Sequence, residues 1–238
     1  VVKVSILAGG AGVRMGLANG RKHLMPLPNG SPLVGYVLSE LSRITVDYRI
    51  EMVLAESDSV TENFLESCRG ITGRSFRYMK SLGTAPAVVG AAEDVGVGET
   101  LVVAASDLIG DAGAVSRFVN MAVADVRGGI LDCVLAVDWI RLSDMRPVSV
   151  RVDSNNMLVS CIGKSIESEP LTYSGIRVMS GEFCRAYVEA AGGSSSDTEV
   201  MSKLADKFPA RIGAVICADF MDVDCPDDWN LMLSRFCS

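Results

Sequence analysis

Only one histidine is present in 238 residues, and aromatic side chains make up just 6% of the chain. That scarcity argues against a zinc or other imidazole-based metal centre, because such sites draw on histidines and paired cysteines. Seven cysteines occur, but none stands in a C-x-x-C pair and the number is odd. Neither a zinc ribbon nor a disulfide framework is expected, and a reducing cytoplasm is the expected setting. Long Lys/Arg runs are missing too, and the net charge is -7, so nucleic acid is not the expected partner. No apolar stretch approaches the roughly 18 residues of a membrane span, so no membrane association is expected. The opening apolar run is broken by Lys3 and stops at a cluster of glycines, unlike a secretory leader.

What the chain does contain is an ordinary globular mixture, 49% hydrophobic and 21% charged, with length enough for a sizeable core. Short β-branched runs alternate with longer amphipathic segments, which predicts an α/β fold: Rossmann-like, with a mixed, mostly parallel sheet flanked by helices. "VKVSILA", "YRIEMVLA", "RSFRYMK", "ETLVVAASD" and "DCVLAVDWI" read as strands. Between them, "SPLVGYVLSELSRI", "DSVTENFLESCR", "APAVVGAAEDVG" and "AGAVSRFVNMAVADVR" read as helices. Asp58 or Ser59, Thr84 and Asp111 are the expected N-caps of the last three. From about residue 147 the texture changes. "PVSVRVDSNNMLVSCIG" alternates about a "DSNN" turn and predicts an antiparallel hairpin, hence an antiparallel lobe.

The densest chemical signal is "LAGGAGVRMG", residues 7–16, which follows the first predicted strand. Glycine lacks a Cβ and lets the backbone approach a ligand closely, and a strand, a Gly-rich turn and a helix together suggest an anion site. The P-loop spacing fails, because Leu17 follows Gly16 where lysine is required. The dinucleotide spacing fails as well, because Met15 takes the place of the third glycine. What remains is Gly9, Gly10 and Gly12, then Arg14, then Lys22 in "RKHLMPL". Backbone N–H groups with two full positive charges make a cradle for a triphosphate. Two alternatives stay open: an NAD(P)-dependent oxidoreductase with an atypical loop, and a non-catalytic nucleotide-binding module. The first wants an acidic residue about 20 positions beyond the glycines, and Glu56 lies rather far; the second has no use for the charged residues together. His23, beside Lys22, is assigned no role.

"LAGGAGVRM" with "RKHLMPL" and "SPLVGYVL" resembles the signature of nucleotidyltransferases that activate small phosphates with an NTP: sugar-1-phosphate pyrophosphorylases, molybdenum-cofactor guanylyltransferases and related cytidylyltransferases. The resemblance implies NTP contacts from Leu7, Ala8, Gly9, Gly10 and Gly12. "SLGTAPAVVGAA" looks like the base-contacting segment, implying Leu82, Gly83 and Thr84 around the base, and its "TAPA" is closest to guanylyltransferases. "ETLVVAASDLIGD" matches a strand ending in a metal-binding aspartate, here Asp107, and "FMDVDCPDDW" a segment supplying a second, here Asp222 with Asp224 as the fallback. Tyr173, Ser174 and Gly175 in "LTYSGI", with Lys164, fall where the family meets its acceptor. Arg21 stands where proline is usual before the lysine, and Leu108 where histidine is common after the aspartate.

The implied organisation is a single nucleotidyltransferase domain over 1–238, with an NTP-binding half at about 1–140 and an acceptor half at about 141–238. Mg²⁺ takes oxygen ligands from one or two carboxylates and from substrate phosphates, which fits Asp107 and Asp222 as its ligands. The implied reaction transfers a nucleoside monophosphate, GMP by preference, to a small phosphorylated acceptor, a sugar 1-phosphate or cofactor phosphate. Arg14 and Lys22 are the catalytic cations, and pyrophosphate leaves. A homodimer is an open alternative to a monomer.

Overall fold

The computed structural model describes residues 1–10, 15–16, 21–56, 58–67, 74–80, 83–139, 148–164 and 171–236. Gly12, Arg14 and Leu82 lie outside them. Strand β1 (Val2–Leu7) is buried along nearly its whole length. It lies in parallel register between β2 (Tyr48–Ala55) and β4 (Thr100–Ala105). Strands covered on both faces read as unbroken apolar runs, which is why "LVVAA" and "MVLA" stand out in the sequence. β3 (Arg74–Met79) extends the parallel set beyond β2. On the far side β9 (Leu171–Ser180) runs antiparallel between β4 and β6 (Cys133–Asp138), and β10 (Ile212–Ile216) lies parallel to β6. The hairpin β7 (Ser149–Val152) and β8 (Val159–Gly163) joins through β9, giving nine strands in this sheet among the described residues. The mostly parallel sheet and the antiparallel side are those the sequence predicts.

Helices cover both faces. Helix α1 (Leu33–Leu41) buries Leu33, Val34, Val37, Leu38 and Leu41, the i, i+3/i+4 set expected of an amphipathic helix. Together with α4 (Ala114–Arg127) it closes one apolar core against β1, β2 and β4. On the other face lie α3 (Thr84–Ala92), α5 (Gly181–Ala191) and α6 (Asp197–Lys207). A small two-stranded sheet pairs β5 (Leu108–Gly110) antiparallel with β11 (Phe220–Asp222), and α7 (Pro226–Phe236) packs beside it. A Cβ at Gly110 would lie 2.3 Å from the carbonyl oxygen of Asp219. Glycine alone lets these short strands close, and their closure joins Asp107 to the distant 220s.

Two of the expected caps differ. Helix α3 begins at Thr84 with Gly83 at the N-cap, so Thr84 is the first helical residue and not the cap. Helix α4 begins at Ala114 after Gly113, and Asp111 contributes only its backbone carbonyl, which accepts from Ala114 N at 3.1 Å. The carboxylate that caps α4 is the buried Glu40 of α1, accepting from Gly113 N at 2.8 Å and Ser116 N at 3.5 Å. A buried carboxylate needs such donors, and a helix N-terminus provides them along with a favourable dipole. Asp58 does cap α2 (Ser59–Ser67), accepting from Thr61 N at 3.3 Å.

Candidate active site

A cleft of about 680 Å³ opens at the carboxyl ends of β1, β2 and β4, the edge at which open α/β sheets bind ligands. Its volume falls within the range of small-molecule sites. Leu7, Gly9, Gly10, Lys22, Gly83, Thr84, Asp107, Lys164, Tyr173, Gly175 and Asp222 all line it. Ala8 and Ser174 are buried and do not line the cleft. For Ser174 the reason is strand alternation, since Tyr173 and Gly175 take the cleft face of β9.

Lys22 occupies a three-residue 3-10 turn, Lys22–Leu24. Its ammonium forms an ion pair with Asp107, meets Asp224 Oδ1 at 2.6 Å and donates to the carbonyl of Val223 at 3.2 Å. Burial alone would lower its pKa, but Asp107 and Asp224 outweigh that and hold it above the ordinary lysine value. Asp107 is 5% exposed. Its own pKa is raised by burial, which Lys22 opposes and Asp224 reinforces. Asp222 lies on β11, whose edge is fixed to Asp107 by a bond from Val223 N to Asp107 O at 3.1 Å. Burial, then the nearby Asp224 and Asp107 carboxylates, push it up to about 8. Carboxylates held this close resist joint ionisation unless a cation shares the site. Asp228, in the first turn of α7, accepts from Asp224 N and Cys225 N, both at 2.9 Å, which fixes the segment carrying Asp224. The donor set is oxygen throughout, which suits a hard divalent cation. No group of three or more His, Cys, Asp or Glu among the described residues converges on a metal position, so substrate phosphates would have to complete the shell.

The opposite wall contains a pair that sequence reasoning missed. Arg177, 1% exposed on β9, makes a two-pronged bond to Asp197, 2.7 Å on each arm. Tyr187 donates its hydroxyl to the same carboxylate at 2.5 Å and lies under the guanidinium, 5.4 Å from ring centre to cation. Burial would raise the Asp197 pKa, but Arg177 holds it below the ordinary value. Among the described residues, Arg177 Nε is buried with no hydrogen-bond partner. The only hint in the sequence is a charge in the middle of the apolar run "GIRVMS". Gly83 joins the two walls: its φ is 108°, and a Cβ there would fall 2.3 Å from Ser195 O. Its glycine character is used for this contact between the start of α3 and the loop before α6.

His23 is a structural residue. It is 2% exposed, and its Nε2 lies 2.8 Å from Thr61 Oγ1. Burial, opposed by Asp58 and assisted by Arg21 and Lys22, lowers its pKa to about 4. A folded-state pKa below the unfolded value near 6.5 means the stabilisation is complete above pH 6.5 and is lost as pH falls toward 4. The shift corresponds to about 3 kcal/mol. Urea unfolding at pH 7.5 and pH 4 is therefore expected to show a larger acid loss for the natural protein than for His23→Gln; equal losses would contradict it.

A mostly parallel sheet thus brings a Gly-rich turn, a lysine and two acidic strand ends to one cleft. Residues 4–131, more than half of the chain, match the MobA-like NTP transferase domain, and the chain belongs to that family. It is therefore a transferase enzyme that binds a nucleotide, and both alternatives, oxidoreductase and non-catalytic module, are set aside. No curated protein sequence matches it.

Solved structures share the fold at low identity. The inositol-1-phosphate CTP transferase of T. maritima is 20% identical, with 97% of this chain and 94% of that one covered at a TM-score of 0.73. A Bacillus anthracis protein assigned as a glucose-1-phosphate thymidylyltransferase, in complex with sucrose, is 17% identical, with 98% and 94% covered at 0.80. HddC from Yersinia pseudotuberculosis complexed with GMP-PN is 18% identical, with 99% and 100% covered at 0.70. A divalent metal is the usual cofactor in this family. Among the described residues no helix is long and apolar enough to cross a membrane.

Proposed function

We propose that the protein transfers GMP from GTP to a small hydroxyl-rich phosphate, a sugar 1-phosphate or a related cofactor phosphate, using Mg²⁺. The observation that carries this reading is the meeting of the glycine turn, Lys22, Asp107 and Asp222 around one cleft. An acceptor phosphate oxygen bonds to the α-phosphorus, the bond from that phosphorus to the bridging oxygen breaks, and pyrophosphate leaves. The acceptor is already an anion, so no side chain has to remove a proton from it. Asp107 and Asp222 would hold Mg²⁺, which when bound neutralises phosphate charge and orients the reacting groups. Lys22 contributes charge stabilisation, and Arg14 is assigned by its place in the motif to the leaving pyrophosphate.

Gly83 and Thr84 line the base side, and the "GTAPA" segment, together with a structural neighbour that binds GMP-PN, supports guanine. Lys164, Tyr173 and Gly175 line the acceptor side. Ser195, Asp197 and Thr198 offer the same wall hydroxyls and a carboxylate, and neighbours named for inositol 1-phosphate and glucose 1-phosphate support a polyol acceptor. The two walls correspond to the NTP and acceptor halves of one domain. The cysteine pattern supports a reducing cytoplasm as its compartment.

The test is pyrophosphate release from GTP, CTP, UTP, dTTP and ATP, each against glucose, mannose and inositol phosphates and a pterin phosphate, with Mg²⁺. Release with GTP and one polyol phosphate is expected. Release with another nucleotide alone would move the base assignment, and no release from any pair would sink the reading.

A further inference from the structure

Lys22 neutralises developing charge only if its ammonium is held in place, and an error of about 1 Å in a catalytic group can cost on the order of 100-fold in rate. Its turn is only three residues long. Its own backbone bonds are Leu24 N to Arg21 O and Met25 N to Lys22 O, both 3.0 Å. Both sequence neighbours of Lys22, however, are tied to the first turn of α2. On one side Arg21 Nε donates to Asp58 Oδ1 at 2.7 Å. On the other, His23 Nε2 meets Thr61 Oγ1 at 2.8 Å, and that hydroxyl donates its proton to Asp58 Oδ2 at 2.6 Å. A hydroxyl has one proton to give, so His23 is the donor in its bond and carries hydrogen on Nε2. Asp58 is itself anchored to the end of β2, its N–H donating to Ala55 O at 3.2 Å. The chain of contacts runs from the sheet, through Asp58 and Thr61, to both flanks of Lys22. Asp58, Thr61 and His23 are 7%, 0% and 2% exposed, so water competes little for these bonds.

We infer that Asp58 and Thr61 are positioning residues for nucleotidyl transfer, clamping Arg21 and His23 so that Lys22 reaches across to the site of Asp107 and Asp224. This rests on reading Lys22 as the group that stabilises phosphate charge. Thr61→Val keeps the shape and removes the hydroxyl. It is expected to lower kcat about 10-fold or more while leaving the KM values for NTP and acceptor within about twofold; Thr61→Ser is expected to restore kcat.

A purely structural role would lower turnover alike in any background, so the deciding measurement is a double-mutant cycle. In a Lys22→Met background Thr61→Val is expected to cost no further turnover. Arg21→Gln, at a more exposed side chain, repeats the test with a smaller loss should Thr61→Val fail to fold. Full kcat in Thr61→Val, or equal losses in both backgrounds, would overturn the clamp while leaving the role of Lys22 intact. Unchanged turnover in Lys22→Met itself would overturn the reading of Lys22, and the clamp with it.

Discussion

Asp107→Asn is expected to lower nucleotidyl transfer by about 1,000-fold or more while the protein stays folded. That factor corresponds to about 4 kcal/mol of transition-state stabilisation, a reasonable size for removing one of the two carboxylates proposed to hold a catalytic cation. The substitution preserves shape and hydrogen-bonding capacity but removes a charge. Lys22 keeps Asp224 at 2.6 Å and the Val223 carbonyl at 3.2 Å, so the local structure retains a partner for its ammonium. Pyrophosphate release at saturating substrates, with circular dichroism as the check on folding, measures the effect. Asp222→Asn is expected to follow Asp107→Asn, whereas Asp224→Asn is expected to cost less, because Asp224 is a more solvent-exposed carboxylate than Asp107. A variant of Asp107 retaining a tenth of the natural rate would remove it from the metal site.

The second large effect concerns Lys22→Met, for which two changes of opposite sense are expected. Turnover should fall by about 100-fold or more, since the full charge proposed to face the phosphates is lost. Divalent binding to the nucleotide-free protein should tighten by about tenfold or more. The ammonium of Lys22 lies against Asp107 and Asp224, so in the absence of nucleotide it already neutralises the charge that would attract a divalent cation. Methionine fills similar space without the charge, leaving the carboxylates without their counter-ion. Titration with Mn²⁺ followed by paramagnetic resonance reads this directly, and it does not depend on catalysis. Equal Mn²⁺ affinity in the two proteins would contradict the account of Lys22 as the internal counter-ion.

Much of the scaffold is legible in the sequence for a local reason. β1, β2 and β4 are buried on both faces and appear as apolar runs, and Asp107 follows directly on one of them where a ligand edge is expected. Asp58 before a helical period is likewise a local signal. Glu40 as the cap of α4 is not local, since it lies 73 residues before Gly113. Nor is the Arg177–Asp197 pair, or the bond between His23 and Thr61, 38 positions apart. Periodicity reports which face of an element is buried, and it does not report which polar group another element brings there. Ser174 was within reach of sequence reasoning: alternation along a strand cannot put 173, 174 and 175 on one wall.

Lys22 meets a carboxylate 202 positions further on, and on the proposed reading this sets when the enzyme can first act. A polypeptide emerges from the ribosome in order, and its early segments begin to fold before later ones exist. A nascent chain extended only to residue 200 already has the glycine turn, Lys22 and Asp107, but neither Asp222 nor Asp224, and β5 has no strand to pair with. Such a chain has the parts of the proposed nucleotide cradle and lacks half of the proposed cation site. On the proposed reading, competence therefore waits until the 220s have been made, and a chain stalled before them is expected to be unable to consume nucleoside triphosphate.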